Sequence, residues 1–191
     1  MVPQTPVLVV VSGPPGSGKT TLAHELARVV GCPAVCRDEI KEGMAQAAPG
    51  FTPEAGDELN RRALPVFFGV LALLVRAGVT TVAEAAFQDH AWRPGLAPLL
   101  PLARLVVVHC TADPGAAFDR VARRHQAGGA RLAHPDPAAA GRDAFVRQFL
   151  AFRRPSLAVP SAEVDTTSGY VPGLAAIAAL VTGQARPGAA G

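Results

Sequence analysis

The chain has 191 residues, 49% of them apolar and 17% charged, which excludes a disordered chain and provides for one domain with a substantial core. Its net charge of +3 is too mild to imply nucleic-acid binding by itself, and an odd set of three cysteines (Cys32, Cys36, Cys110) without zinc-type spacing excludes a disulfide framework and predicts buried thiols in a reducing compartment. No apolar stretch approaches the roughly 18 residues of a membrane span, and the first apolar run leads straight into a glycine-rich loop, so the expectation is a cytoplasmic protein with no membrane partner.

In chain order, Val7–Val11 reads as a buried strand, followed by Gly13-Pro14-Pro15-Gly16-Ser17-Gly18-Lys19-Thr20 and a helix over 19–30. A short strand at Ala34–Cys36 precedes a helix starting at Asp38. A long helical stretch follows over 53–77, with Pro53 in its first turn and Pro65 expected to kink or split it. Val79–Ala83 is a strand ending at Glu84; Gln88–Trp92 reads as irregular, and Pro94–Leu102 as weakly helical at best. Arg104–Cys110 is a buried strand, and Asp113-Pro114 caps and starts a helix over 114–126, ended by Gly128-Gly129. A Gly/Pro/Ala-rich loop over 127–140, a helix at Arg142–Phe152, a strand at Ala162–Asp165 and a helix at Val171–Thr182 complete the pattern, with residues 183–191 expected to be a disordered tail. Strands alternating with helices predict an α/β fold: a three-layer αβα sandwich around a five-stranded parallel sheet of order 2-3-1-4-5.

The loop over 13–20 is the P-loop pattern, set where a buried strand turns into a helix. Its backbone N–H groups and the helix N-terminus suit phosphate, so Gly13, Pro14, Pro15, Gly16, Ser17, Gly18, Lys19, Thr20 and Thr21 are expected to bind the phosphates of a nucleotide. Lys19 would reach the β/γ oxygens and the Thr20 hydroxyl would hold Mg2+. The chain's only lysines are Lys19 and Lys41, against sixteen arginines among 18 basic residues, so a compact point charge has been kept where phosphate favours it.

Arg37-Asp38-Glu39-Ile40-Lys41 follows the second strand, whose carboxyl end faces the ligand crevice. Asp38 could accept the proton of an attacking hydroxyl, and Lys41, one turn on, could bind the acceptor; the plainer alternative is Asp38 as a helix cap with Lys41 solvated. Glu84, at the third strand's end, would orient magnesium through water or contact the acceptor. Gln88, Asp89, His90, Trp92 and Arg93 form a polar and aromatic cluster on the same rim, with Gln88, His90 and Arg93 as candidate acceptor contacts. Arg120, Arg123 and Arg124 share one helix face, with Arg131 beyond a glycine hinge, and suit a lid over about 114–140 in which Arg120 and Arg124 stabilise transferring charge; an Asp119–Arg123 ion pair is the alternative. His134, in the same loop, could touch nucleotide or acceptor, with a surface residue as the plainer reading. Thr166 and Thr167, after the fifth strand, would line the base pocket. No Asn-Lys-x-Asp guanine motif is present, which favours ATP.

A P-loop, a second strand and then Arg-Asp-acid-x-basic resembles the polynucleotide 5′-hydroxyl kinase branch of the P-loop kinases, whose relatives include chloramphenicol phosphotransferase and the zeta toxins. The resemblance implies a kinase domain over 1–182 using ATP and Mg2+, with Asp38 as general base and Lys41, where that branch usually has arginine, touching the acceptor's phosphate. Glu84 falls at the position similar to Walker B. A carboxylate base disfavours a phosphate acceptor. With one Tyr and one Trp for stacking, the reading is a phosphotransferase acting on a small-molecule hydroxyl (metabolite, nucleoside or antibiotic) rather than on nucleic acid. A polynucleotide 5′-hydroxyl kinase, a toxin-like sugar-nucleotide kinase and a non-kinase ATPase module are the alternatives.

Overall fold

Val7–Ser12 (β1) is apolar on both faces because both are covered: Leu8, Val9, Val10 and Val11 are fully buried in the middle of a parallel sheet. The computed structural model describes residues 5–128, 133–136 and 139–183 and, of residues 89–91, the backbone alone. The predicted residue 131 and the tail from 184 lie outside the described residues. β1 is flanked by Thr81–Glu84 (β3) and Arg104–Thr111 (β4), with Ala34–Cys36 (β2) beyond β3 and Ser161–Asp165 (β5) beyond β4. All pairs are parallel and the order is β2-β3-β1-β4-β5, as the sequence predicts. Val11 and Cys36 both register with Glu84, so three strands end level and hand their following residues to one edge.

Helices Lys19–Val30 (α1) and Leu174–Thr182 (α7) cover one face through Leu22, Leu26, Ile177 and Val181 on Val9, Val11, Val106 and Val108. The other face is covered by Glu58–Arg76 (α3) and the segment after β3, through Phe67, Leu71, Val75, Leu96 and Leu99 on Leu8, Val10 and Val107. Pro114–Gln126 (α5) and Arg142–Leu150 (α6) build a separate small cluster from Ala117, Val121, Phe145 and Phe149. No helix among the described residues is long and apolar enough to cross a membrane.

Two local expectations are overturned. α3 begins at Glu58, capped by Asp57 rather than led by Pro53, and runs unbroken through Pro65. Arg61 and Pro65 both lie on the exposed face, so the carbonyl that Pro65 leaves without an intrahelical donor is on the solvent side of the helix. The segment expected to be irregular forms helix Asp89–Leu96 (α4), because Trp92 and Leu96 are held by tertiary packing: the Trp92 ring lies 4.6 Å from Phe87 and 5.8 Å from Phe67, both edge-on.

Helix Arg37–Gln46 (α2) is fixed to α3 by a buried ion pair. Lys41 Nζ donates to Asp57 Oδ2 at 2.7 Å, and both side chains are buried. Asp57 Oδ1 also caps α3 by accepting from the Asn60 N–H at 2.8 Å. Burial alone raises the Asp57 carboxyl, but the Lys41 hydrogen bond, the Asn60 N–H and the Lys41 charge outweigh it and hold the group below the usual carboxylate range. Its folded value therefore lies under an unfolded value of about 3.9. The pair's contribution is full above that value and is lost as pH falls through the folded one. Lys41→Met strands a buried carboxylate and should cost about 3 kcal/mol in urea melts at neutral pH. In Asp57→Asn the acid loss of stability should be shallower than in the wild type across the same melts; an unchanged acid limb would sink the assignment.

Candidate active site

Residues 13–18 turn β1 into α1 with almost no spare room. Gly16 and Gly18 sit at φ 79 and 72, and a Cβ at Gly16 would stand 2.4 Å from the Ala117 carbonyl oxygen of α5. Thr166 Oγ1 donates to the Ser17 carbonyl at 2.8 Å, tying the loop to the end of β5. Lys19, nearly buried, brings its ammonium to 3.8 Å from the buried Glu84 carboxylate.

Two cavities meet at this loop. One, of about 330 Å³, is lined by Lys19, Thr20, Asp38, Arg124, His134 and Gln148 among others. The other, of about 510 Å³, lies between α5 and the loop after β5 and is lined by Thr21, Arg120, Arg123, Thr166 and Tyr170 among others. Gly16, Gly18, Thr21 and Arg124 belong to both, so the loop is their shared wall.

Asp38 is the second residue of α2 and does not cap it: Cys36 is the capping residue and no side chain bonds there. Its Oδ1 instead accepts from Arg37 Nη1 at 3.0 Å, while Arg37 Nη2 reaches Asn60 Oδ1 at 2.6 Å and so fixes the carboxylate against α3. Burial works to raise the Asp38 carboxyl, yet Lys19, His134 and Arg37 together outweigh it and hold it below the usual carboxylate range. It is therefore ionised at neutral pH, in one cavity with the P-loop lysine.

The other predicted residues are placed differently. Lys41 is fully buried on Asp57 and lines neither cavity, so its ammonium is committed to holding α2 on α3 rather than to an acceptor. Gln88 is an exposed residue preceding α4, and Arg93 donates to the Ser156 carbonyl at 2.6 Å; neither lines the two cavities. The side chain of His90 lies outside the described residues. Arg120 is spread over backbone, donating to the carbonyls of Thr166 and Thr167 at 2.7 Å each and approaching Gly16 O at 3.4 Å, and it faces only the second cavity. Its partner Arg124 faces both. Thr166 lines the second cavity, whereas Thr167 Oγ1 accepts from the Asp113 N–H at 2.9 Å and lines neither. Asp119 pairs with Arg142 of α6 instead of Arg123.

Sequence reasoning undervalued His134 and missed Gln148 and Tyr170 among the lining residues. His134 stands in the first cavity with Nε2 3.3 Å from Glu42 Oε1 of α2. Gln148 reaches it from α6, and Tyr170 lines the second cavity with its hydroxyl pKa pushed up to about 12 by burial and by a hydrogen bond to Glu25. For these the only local signal was composition: Tyr170 is the chain's single tyrosine.

The model of one protein family, described as an AAA domain, matches residues 8–154, which takes in the P-loop, Asp38, Glu84, Arg120 and Arg124. The chain belongs to this AAA-domain family. In fold this AAA-domain protein is similar to a kinase candidate from Chloroflexus aurantiacus (23% identical, TM-score 0.82, covering 96% of this chain and all of that one). It is similar too to a gluconokinase from Sinorhizobium meliloti (18% identical, TM-score 0.56, covering 96% and 99%). Its architecture is thus that of the P-loop kinases. A stretch of 29 residues is 66% identical to a cytidylate kinase from Pyrobaculum aerophilum, spanning 15% of this chain and 16% of that one.

Gly16→Ala puts a methyl group into the Ala117 carbonyl at a backbone angle that L-residues avoid, so it should lower the thermal midpoint and abolish binding of a fluorescent ATP analogue. Arg120→Met should cost about 1–3 kcal/mol by leaving carbonyls of the β5 loop without their donor, read as a lowered midpoint in calorimetry. A midpoint equal to that of the wild type would show that the Arg120 fork is not structural.

Proposed function

We propose that this protein is an ATP-dependent phosphotransferase that moves the γ-phosphate to a hydroxyl of a small molecule. The observation that carries the reading is Asp38: an ionised carboxylate in the same cavity as Lys19 and Thr20, held by Arg37 and not used as a cap. A cavity of about 330 Å³ suits a small acceptor beside the phosphates. An anion at Asp38 repels a phosphate nucleophile and attracts the proton of an alcohol.

In this mechanism the acceptor oxygen attacks the γ-phosphorus, its proton passes to an Asp38 carboxylate oxygen, and the bond to the β–γ bridging oxygen breaks to leave ADP. Lys19 and the backbone N–H groups of 16–20 hold the phosphates, and Arg124, reaching both cavities, carries charge stabilisation over the transfer. Arg120 acts one step back, by fixing the loop that walls the second cavity. That cavity, with Tyr170 and Thr166 in its lining, would take the adenine. The Thr20 hydroxyl, with the buried Glu84 carboxylate beside Lys19, is a hard-oxygen set that would hold magnesium, Glu84 through water; the ion when bound would neutralise phosphate charge.

The test is transfer from labelled ATP to a panel of alcohols, nucleosides and a 5′-hydroxyl oligonucleotide. Asp38→Asn should lower kcat by about 10²–10⁴-fold with the KM for ATP little changed, and Lys19→Ala should remove detectable transfer. Undiminished transfer in Asp38→Asn would remove the base from the mechanism. An oligonucleotide outpacing every small alcohol would change the acceptor class.

A further inference from the structure

Apart from both cavities, three side chains from three elements converge beside the Asp38 elbow. His24 lies in the second turn of α1, Cys36 ends β2, and Glu39 lies in the first turn of α2. His24 Nε2 stands 2.7 Å from Glu39 Oε1 and 3.6 Å from Cys36 Sγ, and the three ligand atoms all lie within 4.8 Å of one another. None of the three lines either cavity, so the cluster is separate from the nucleotide site. The sequence spacing of Cys32 and Cys36 gave no zinc pattern because the other ligands come from elsewhere in the fold.

From this convergence we propose a binding site for one thiophilic divalent ion of the zinc class, held by His24 Nε2, Cys36 Sγ and Glu39 Oε1, with the fourth position open to water. Zinc bonds of about 2.0–2.1 Å to nitrogen and about 2.3 Å to sulfur, at a tetrahedral angle, place those two atoms roughly 3.6 Å apart. That is the His24–Cys36 separation. The nitrogen and carboxylate oxygen must open by roughly 0.6 Å to reach tetrahedral spacing. Their side chains are 43% and 45% exposed and can turn, and they leave the ion a path from solvent. Cys36 supplies the opposite property, a buried sulfur at 2% exposure that water does not reach. A thiolate with an imidazole and one carboxylate selects zinc over magnesium, whose preferred ligands are all oxygen.

Binding displaces the hydrogen bond between His24 and Glu39 and releases the Cys36 thiol proton to solvent. The two positive charges of the ion are balanced by the thiolate and the Glu39 carboxylate, so the occupied cluster is neutral beside the Glu84 anion. Cys36 and Glu39 bracket Arg37-Asp38, so the ion would staple the elbow that carries Asp38 to α1. This assignment stands or falls independently of the acceptor and of the phosphotransfer reading.

The test uses the full chain stripped with a chelator, with Co2+ as a spectroscopic probe and Zn2+ in competition with a chromogenic indicator. One equivalent of Co2+ should give a thiolate-to-cobalt charge-transfer band that Cys36→Ser loses and that Cys32→Ser and Cys110→Ser keep. His24→Gln and Glu39→Gln, at exposed positions where folding is least at risk, should each weaken Zn2+ at least about tenfold, the scale on which even outer partners of a metal matter. Zinc should raise the thermal midpoint of the wild type and not of His24→Gln. The proposal is overturned if no charge-transfer band forms, if the band follows Cys32 rather than Cys36, or if His24→Gln binds Zn2+ as tightly as the wild type.

Discussion

The site depends on how closely the P-loop is pressed against its neighbours. Gly16 leaves no room for a side chain against the Ala117 carbonyl, and Gly18 has Thr166 Oγ1 where a Cβ would come to 3.1 Å. Thr166 bonds the Ser17 carbonyl, and Arg120 spans the Gly16, Thr166 and Thr167 oxygens. Each such bond contributes about 0.5–3 kcal/mol, depending on charge. Their combined effect is geometric: α5, the end of β5 and the first turn of α1 keep one relative position. A cavity on either side of the loop follows from that arrangement.

The facing wall is positioned by a second and independent set of contacts. The level ends of β1, β3 and β2 bring Glu84 and the start of α2 to the same edge. Arg37 to Asn60 and Lys41 to Asp57 then fix α2 on α3, so Asp38 has its hydrogen-bond donor and its orientation from residues outside the cavity. Removing those partners would act on the Asp38 position through the backbone rather than through contact with a ligand. The α5–α6 pair has its own apolar cluster, with Phe118 edge-on to Phe145 and the Arg142 guanidinium 4.8 Å over the Phe118 ring.

The sheet order and the P-loop were legible because their signals are local: an apolar run before a glycine-rich loop, and strands alternating with helices. The placement of Asp38 beside the P-loop lysine was legible for the same reason, since a strand end followed at once by a helix leaves few places for its side chain. Lys41 was not, because its partner lies 16 residues on, in a cap that the sequence placed at the wrong start of α3. Arg120 looked like a charge for phosphate because its acceptors are backbone oxygens 46 and 47 residues away, which no side-chain pattern advertises. α4 was missed where Pro94 and Gly95 argue against a helix in isolation and the packing of Trp92 on Phe67, Phe68 and Phe87 argues for one in the fold. His24, Cys36 and Glu39 are ordinary singly and acquire meaning only when α1, β2 and α2 are assembled.

The central place of β1 also shapes how the chain is made. Its partners are β3 and β4, more than 70 residues later, and Val7 already needs Thr80 Oγ1 for its N–H. At a synthesis rate of about 5–20 residues per second, β1 waits several seconds for them. During that interval five consecutive apolar residues, Val7 to Val11, leave the ribosome with no strand to pair with. α1 can form in the meantime and shelter one face through Leu22 and Leu26, while the other stays open until α3 arrives. The strand that leads into the glycine-rich loop of the finished protein is, during translation, an apolar segment left without its partner strands.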